Sequence, residues 1–141
     1  MRFWDSSAVI PLIAEEPLRE RMLELLEDDP QMLAWWGTSV EVVSAMARRE
    51  REGRLTADEV TAGLATFRHV ADAWHVIVPS EPLRRTAERL LRVHPLRAAD
   101  SLQLAAAWVA ADRDPTQLEF VCLEERLTAA ARREGFVVLD R

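Results

Sequence analysis

Residues 101 to 111, SLQLAAAWVAA, are apolar almost all the way round a helical wheel, and an acid, Asp100, stands at their entrance. A surface helix keeps a polar face; one without it belongs in the interior, packed on a sheet. The 141 residues amount to one domain, long enough to bury a real core. The rest of the chain must therefore supply a sheet and the helices that cover it.

The order of elements along the chain meets that demand. Arg2 to Trp4 read as a short opening strand, followed by helices over about Ser7 to Ala14 and Pro17 to Glu27. Met32 to Trp36 read as a second strand, closed by Gly37, and about Ser39 to Gly53 as a helix with Val43, Met46 and Ala47 on one side. Val60, Leu64, Phe67, Ala71 and Trp74 recur at steps of four and three, which is one helical face. His75 to Val78 make a third strand stopped by Pro79, and Leu83, Ala87, Leu90 and Leu91 mark a helix ending near Pro95. After the apolar helix, Phe120 to Leu123 form a fourth strand. A helix with Leu127, Ala130 and Ala131 ends at Gly135, and Phe136 to Leu139 add an edge strand. Strand and helix in alternation predict an α/β domain with a mostly parallel sheet.

Composition narrows the class. Hydrophobic residues make up 49 % of the chain, too many for disorder. No run approaches the roughly 18 apolar residues of a membrane span, and MRFWDSS lacks the apolar segment of a secretory signal. A cytoplasmic protein with no membrane contact is expected. The single cysteine, Cys122, excludes an internal disulfide and a multi-cysteine zinc site, and its place in FVCL predicts a buried packing thiol. His69, His75 and His94 lack ligand spacing and read as surface or core residues. AVIPLI and Trp35–Trp36 read as core, with a partner surface as the alternative.

The net charge of −6 argues against nucleic-acid binding by overall field. Yet every basic side chain is arginine. Arg48, Arg49, Arg51 and Arg54 form one group; Arg84, Arg85, Arg89, Arg92 and Arg97 form another. Singly these are solvated helix faces; together they offer a phosphate-binding rim around an acidic centre, with Arg48, Arg49 and Arg97 as its candidates.

Four acids mark that centre. Asp5 follows the first strand, Glu41 lies in the first turn after the second, Glu124 follows the fourth, and Asp100 opens the apolar helix. Open α/β sheets bind ligands beyond the carboxyl ends of their strands. Each acid also has a local reading. Thr38 with Glu41 fits the S/T-x-x-E capping box, and Ser6 or Ser7 fits a helix cap beside Asp5. Asp100 leads straight into the core and so needs a partner. If the four converge at about 5 Å, each pair repels by about 3 kcal/mol at an effective dielectric of 20, roughly two pKa units. A divalent ion removes that penalty, and oxygen-only ligands select Mg²⁺ or Mn²⁺, the ions of phosphoryl chemistry. Rival phosphate enzymes fail on motifs. There is no G-x-x-x-x-G-K loop, no G-x-G-x-x-G, no G-x-S-x-G elbow and no lysine for a phosphoaspartate.

Four segments then look familiar together. FWDSSAVIPL from Phe3, TSVEVVSAMARRE from Thr38, LRAADSLQLAAA from Leu96 and FVCLEERLTAAARREGFVVL from Phe120 resemble, in order and over essentially the whole chain, the acidic motifs of PIN domains. The chain is most similar to the VapC-type toxins of bacterial toxin–antitoxin pairs. The resemblance implies a three-layer α/β/α sandwich with a central, mostly parallel sheet of four to five strands. It implies a Mg²⁺- or Mn²⁺-dependent endoribonuclease acting on structured RNA such as transfer or ribosomal RNA, a homodimer, and a small antitoxin that covers the active site. By the same resemblance Asp5, Glu41 and Asp100 hold the main metal and the attacking water, Glu124 joins them, and Ser7 orients a ligand or phosphate. The chain departs from the family at Glu124, where aspartate is usual; the carboxylate stands one methylene further out, with Glu125 beside it as a competitor. That departure leaves a second reading, a PIN-like module that binds RNA or protein without cutting.

Overall fold

The computed structural model describes all residues, Met1 to Arg141. Its elements are β1 (Arg2–Trp4), α1 (Ser6–Ile13), α2 (Arg19–Asp28), β2 (Met32–Trp35), α3 (Thr38–Arg51), α4 (Ala57–Ala73), β3 (His75–Ile77), α5 (Glu81–Val93), α6 (Ala98–Ala110), β4 (Glu119–Val121), α7 (Glu125–Glu134) and β5 (Val137–Leu139). The five strands pair in parallel throughout, in the order β3-β2-β1-β4-β5. The sheet is thus wholly parallel, and β5 is the edge strand expected.

Short strands buried on both faces explain why their sequences run apolar instead of alternating with polar residues. Successive side chains point to opposite layers. Phe3, Leu33, Phe120 and Cys122 pack with α5, α6 and α7. Trp4, Met32 and Val121 pack with α1, α2, α3 and α4. The result is the three-layer α/β/α sandwich. Phe3 and Phe120 stack across neighbouring strands with centroids 5.3 Å apart, binding β1 to β4 at the centre. The apolar helix α6 lies where its sequence requires, with Leu104 to Ala107 wholly buried. No helix is long and apolar enough to cross a membrane.

Several local expectations shift. AVIPLI is core and so is Trp35, but Trp36 turns outward and is 59 % exposed, since it lies just beyond the end of β2. Helix α3 buries Thr38, Val42 and Met46 while Val43 faces solvent, a rotation of one position from the expected face. Leu91 likewise faces solvent from α5, which buries Leu83, Ala87 and Leu90. Gly135 caps α7 at φ 102°, the left-handed conformation that glycine adopts without strain.

Gly63 is a different case. Helix α4 crosses α1 so closely that a Cβ at Gly63 would stand 2.7 Å from Met46 Cε and 2.9 Å from the Ile13 carbonyl oxygen. In an isolated helix, replacing glycine with alanine stabilises by about 1 kcal/mol. Here the clash should dominate, so Gly63→Ala is expected to destabilise by about 1–3 kcal/mol, as urea unfolding will measure.

Candidate active site

Parallel pairing sends every strand's carboxyl end to one edge of the sheet, and the acids collect there. Asp5 follows β1, the central strand, while β2 and β4, its two neighbours, lead to Glu41 and Glu124. The strand order reverses between β1 and β4, the place where a doubly wound sheet opens a crevice. Asp100, the third residue of α6, comes from the layer below. Glu41, Asp100 and Glu124 line one open cleft of about 1110 Å³, together with Ser6, Ser7 and several arginines. Asp5 does not line the cleft itself; only 3 % exposed, it lies behind Ser7, to which it is bonded. Glu125 is exposed and outside the lining, so Glu124 is the acid that faces the cleft.

Each acid has a distinct anchor. Asp5 caps α1 itself, rather than flanking a serine cap. Its Oδ2 accepts from the Ser7 amide at 3.0 Å and the Ser7 hydroxyl at 2.5 Å, with Cys122 Sγ at 3.6 Å. Ser7 Oγ also accepts from the amides of Leu123 (2.9 Å) and Glu124 (3.2 Å), so it ties Asp5 to the end of β4. Its hydroxyl is committed to protein partners. Glu124 is the N-cap of α7, with Oε2 accepting from Leu127 N at 2.6 Å.

The capping box expected at Thr38–Glu41 does not form. Gly37 occupies the cap position, which puts Thr38 already inside the helix. The box appears instead at Thr56 and Glu59, where both reciprocal bonds are made. Glu41 reaches into the cleft, accepting from Ser6 Oγ at 3.3 Å and Gln103 Nε2 at 2.8 Å. The apolar pattern of α6 hides Gln103. The signal was there: one amide in an otherwise apolar helix must find partners.

None of the four acids takes part in a salt bridge, although nine arginine–acid pairs and one histidine–acid pair form elsewhere in the chain. The electrostatics follow. Burial raises the pKa of Asp5, and the charge of Asp100 adds to it, against the bonds from Ser7. Burial and then Asp5 push Glu41 up to about 7. Burial and then Glu124 raise Asp100, which Arg97 and Arg126 partly offset. Three acids therefore resist ionisation, first because they are buried and then because they repel one another. Cys122 is fully buried, and burial pushes its thiol well above the ordinary range, which fits a packing role.

The donor set is made of hard carboxylate oxygens held by neutral groups, the chemistry that suits Mg²⁺ or Mn²⁺. No three of the chain's His, Cys, Asp and Glu side chains stand close enough together to hold a metal ion, so the carboxylates lining the cleft would have to draw together around one. The histidines stand apart: His69 and His75 are exposed, and buried His94 bonds Glu134 at 2.7 Å. At the lip, Arg48, Arg97 and Arg126 are exposed, whereas Arg49 is tied to Glu16 at 2.8 Å.

The architecture has solved counterparts. A toxin–antitoxin complex from Klebsiella pneumoniae contains a chain with TM-score 0.66 and 19 % identity, covering 99 % of this chain and 96 % of that one. PAE2754 from Pyrobaculum aerophilum gives 0.68 and 18 %, over 99 % and 82 %. FitAcB from Neisseria gonorrhoeae gives 0.67 and 14 %, over 99 % and 96 %. At these identities the likeness is one of fold, and it spans the whole chain. No sequence-family profile matches, and no curated protein does.

Proposed function

We propose that this chain is a Mg²⁺- or Mn²⁺-dependent endoribonuclease of the PIN type and the toxin of a toxin–antitoxin pair. The observation that carries the reading is that Glu41, Asp100 and Glu124, none of them ion-paired, line one cleft at the carboxyl edge of a parallel sheet, with buried Asp5 bonded to Ser7 beside it. The fold shared with a chain of the Klebsiella toxin–antitoxin complex supports the biological half.

Asp5, Glu41 and Asp100 would hold the main ion, with Glu124 the acid whose charge acts most on Asp100. A bound ion supplies charge stabilisation at a scissile phosphate and a more acidic water. The chain's own residues do the rest. Asp5 presents Oδ1, because its protein donors all fall on Oδ2. Burial and the charge of Asp5 hold Glu41 up to about 7, so it would have to release its proton to bind a cation. Arg48, Arg97 and Arg126 suit the phosphates flanking the cut, in transfer or ribosomal RNA. Trp36, Val40 and Val43 expose apolar surface, and Val40 also lines the cleft; a second copy and a small antitoxin are the partners that would use it.

Digestion of RNA with and without EDTA tests the activity. Cleavage should require Mg²⁺ or Mn²⁺ and stop on chelation; undiminished cutting in EDTA would remove the proposal. Proton competition on Glu41 sets a pH dependence as well. Calorimetric Mn²⁺ affinity should fall about tenfold per pH unit below about 7 and level off above it.

The second reading, a binding module that no longer cuts, draws on Glu124, whose carboxylate is engaged at its own helix cap. Mn²⁺ titration separates the two, since a degenerate site binds the ion weakly or not at all.

A further inference from the structure

Gln103 is 0 % exposed on α6, three residues after Asp100. Its Nε2 donates to Glu41 Oε2 at 2.8 Å and to Thr38 Oγ1 at 3.0 Å. Its carbonyl oxygen, Oε1, is buried with no partner. The two facts are linked. A carboxylate only accepts, so the amide nitrogen must face Glu41, and the carbonyl is left where nothing donates to it.

For folding alone this is a poor residue. Were positions 38 and 41 apolar as well, an apolar side chain of similar volume would fill the same space without an orphaned acceptor. We propose that Gln103 is a positioning residue: backed by Thr38, its amide fixes the Glu41 carboxylate in place at the acidic cleft. Ser6 Oγ donates to the other oxygen, Oε1, at 3.3 Å, so one donor on each oxygen sets the plane of the group. The donors are neutral. An arginine in place of Gln103 would orient Glu41 and also cancel its charge, whereas an amide leaves the charge to be matched from the cleft. Because α6 carries both Asp100 and Gln103, one rigid helix sets the relation of Glu41 to Asp100.

The brace belongs to the metal-free fold; only the identity of the ion rests on the nuclease reading. Two measurements on the full chain test it. The first is a thermal-unfolding cycle without metal at pH 8, using wild type, Gln103→Met, Glu41→Gln and the double variant. Gln103→Met should lower Tm by a few degrees when Glu41 is present and by clearly less beside the neutral amide, whose bond to Gln103 is not charge-assisted. An equal shift in both backgrounds would reduce Gln103 to packing and overturn the proposal. The second is calorimetric Mn²⁺ binding. Removing an outer partner of a metal ligand weakens affinity about 10–100-fold, and that loss is expected for Gln103→Met. Gln103→His, which keeps an N–H donor, should recover most of it. Wild-type affinity in Gln103→Met would also overturn the proposal. If the methionine variant does not fold, Thr38→Val, which removes the hydroxyl behind the amide, goes through the same two measurements with the same criteria. If wild type itself takes no Mn²⁺, the nuclease reading fails, and the unfolding cycle decides the role of Gln103 alone.

Discussion

Asp5→Asn is expected to fold as wild type does and to lose metal-dependent RNA cleavage by about 10³-fold or more. The three protein donors around Asp5 converge on Oδ2, so an asparagine carbonyl can take that position and still cap α1. Its amide then replaces Oδ1, the oxygen left for a cation, with two N–H donors. Burial already makes ionisation of Asp5 unfavourable, so a neutral side chain removes that penalty and the melting temperature should not fall. Asp100→Asn should behave alike, because Asp100 is held above its ordinary pKa by burial and by Glu124. Cleavage assays at saturating Mg²⁺, read beside circular-dichroism melts, check both. Full activity in either variant at unchanged Mg²⁺ would remove that residue from the centre.

Glu41→Gln should move stability and activity in opposite directions. The sign follows from protons bound. Glu41 titrates near 4.5 in the unfolded chain and near 7 in the fold. Its folded pKa is raised, so its contribution is intact below 4.5 and is lost as pH rises through about 7. The full shift corresponds to about 3 kcal/mol, and solvent screening of a partly exposed group brings this to about 1–2 kcal/mol. Glutamine keeps an acceptor for the Gln103 amide and carries no charge. The metal-free variant should therefore melt about 3–6 °C above wild type at pH 8 and close to it at pH 4. It should also lose most of its cleavage activity. Such an exchange of stability for function marks a site whose like charges are kept together for a ligand. Equal melting temperatures at pH 8 would mean that the cleft does not strain Glu41.

Much of the layout was legible in the residues because its signals are local. A strand shows as a short apolar run, a helix as steps of three and four, and a helix end as Gly135; each depends on neighbours within about one turn. The acids at element junctions were visible for the same reason. Asp5, Glu41 and Glu124, each placed after a strand, then fell at one edge of the sheet, because all the strands are parallel.

The partners of those acids were not legible. Thr38 and Glu41 match a capping box in sequence, yet Gly37 takes the cap and both side chains turn to Gln103, 65 and 62 residues away. Ser7 reaches Glu124 across 117 positions. Trp36 and Val43 look like core in a list of residues, but a strand end and one position of helix rotation put them outside. The sequence alone determined which segments become strands and helices and which acids stand between them, since backbone preference and periodicity act over a few residues. Only the tertiary structure decided which donor holds each carboxylate and which acids lack a counter-charge, because those pairings join segments that meet only after the sheet has formed.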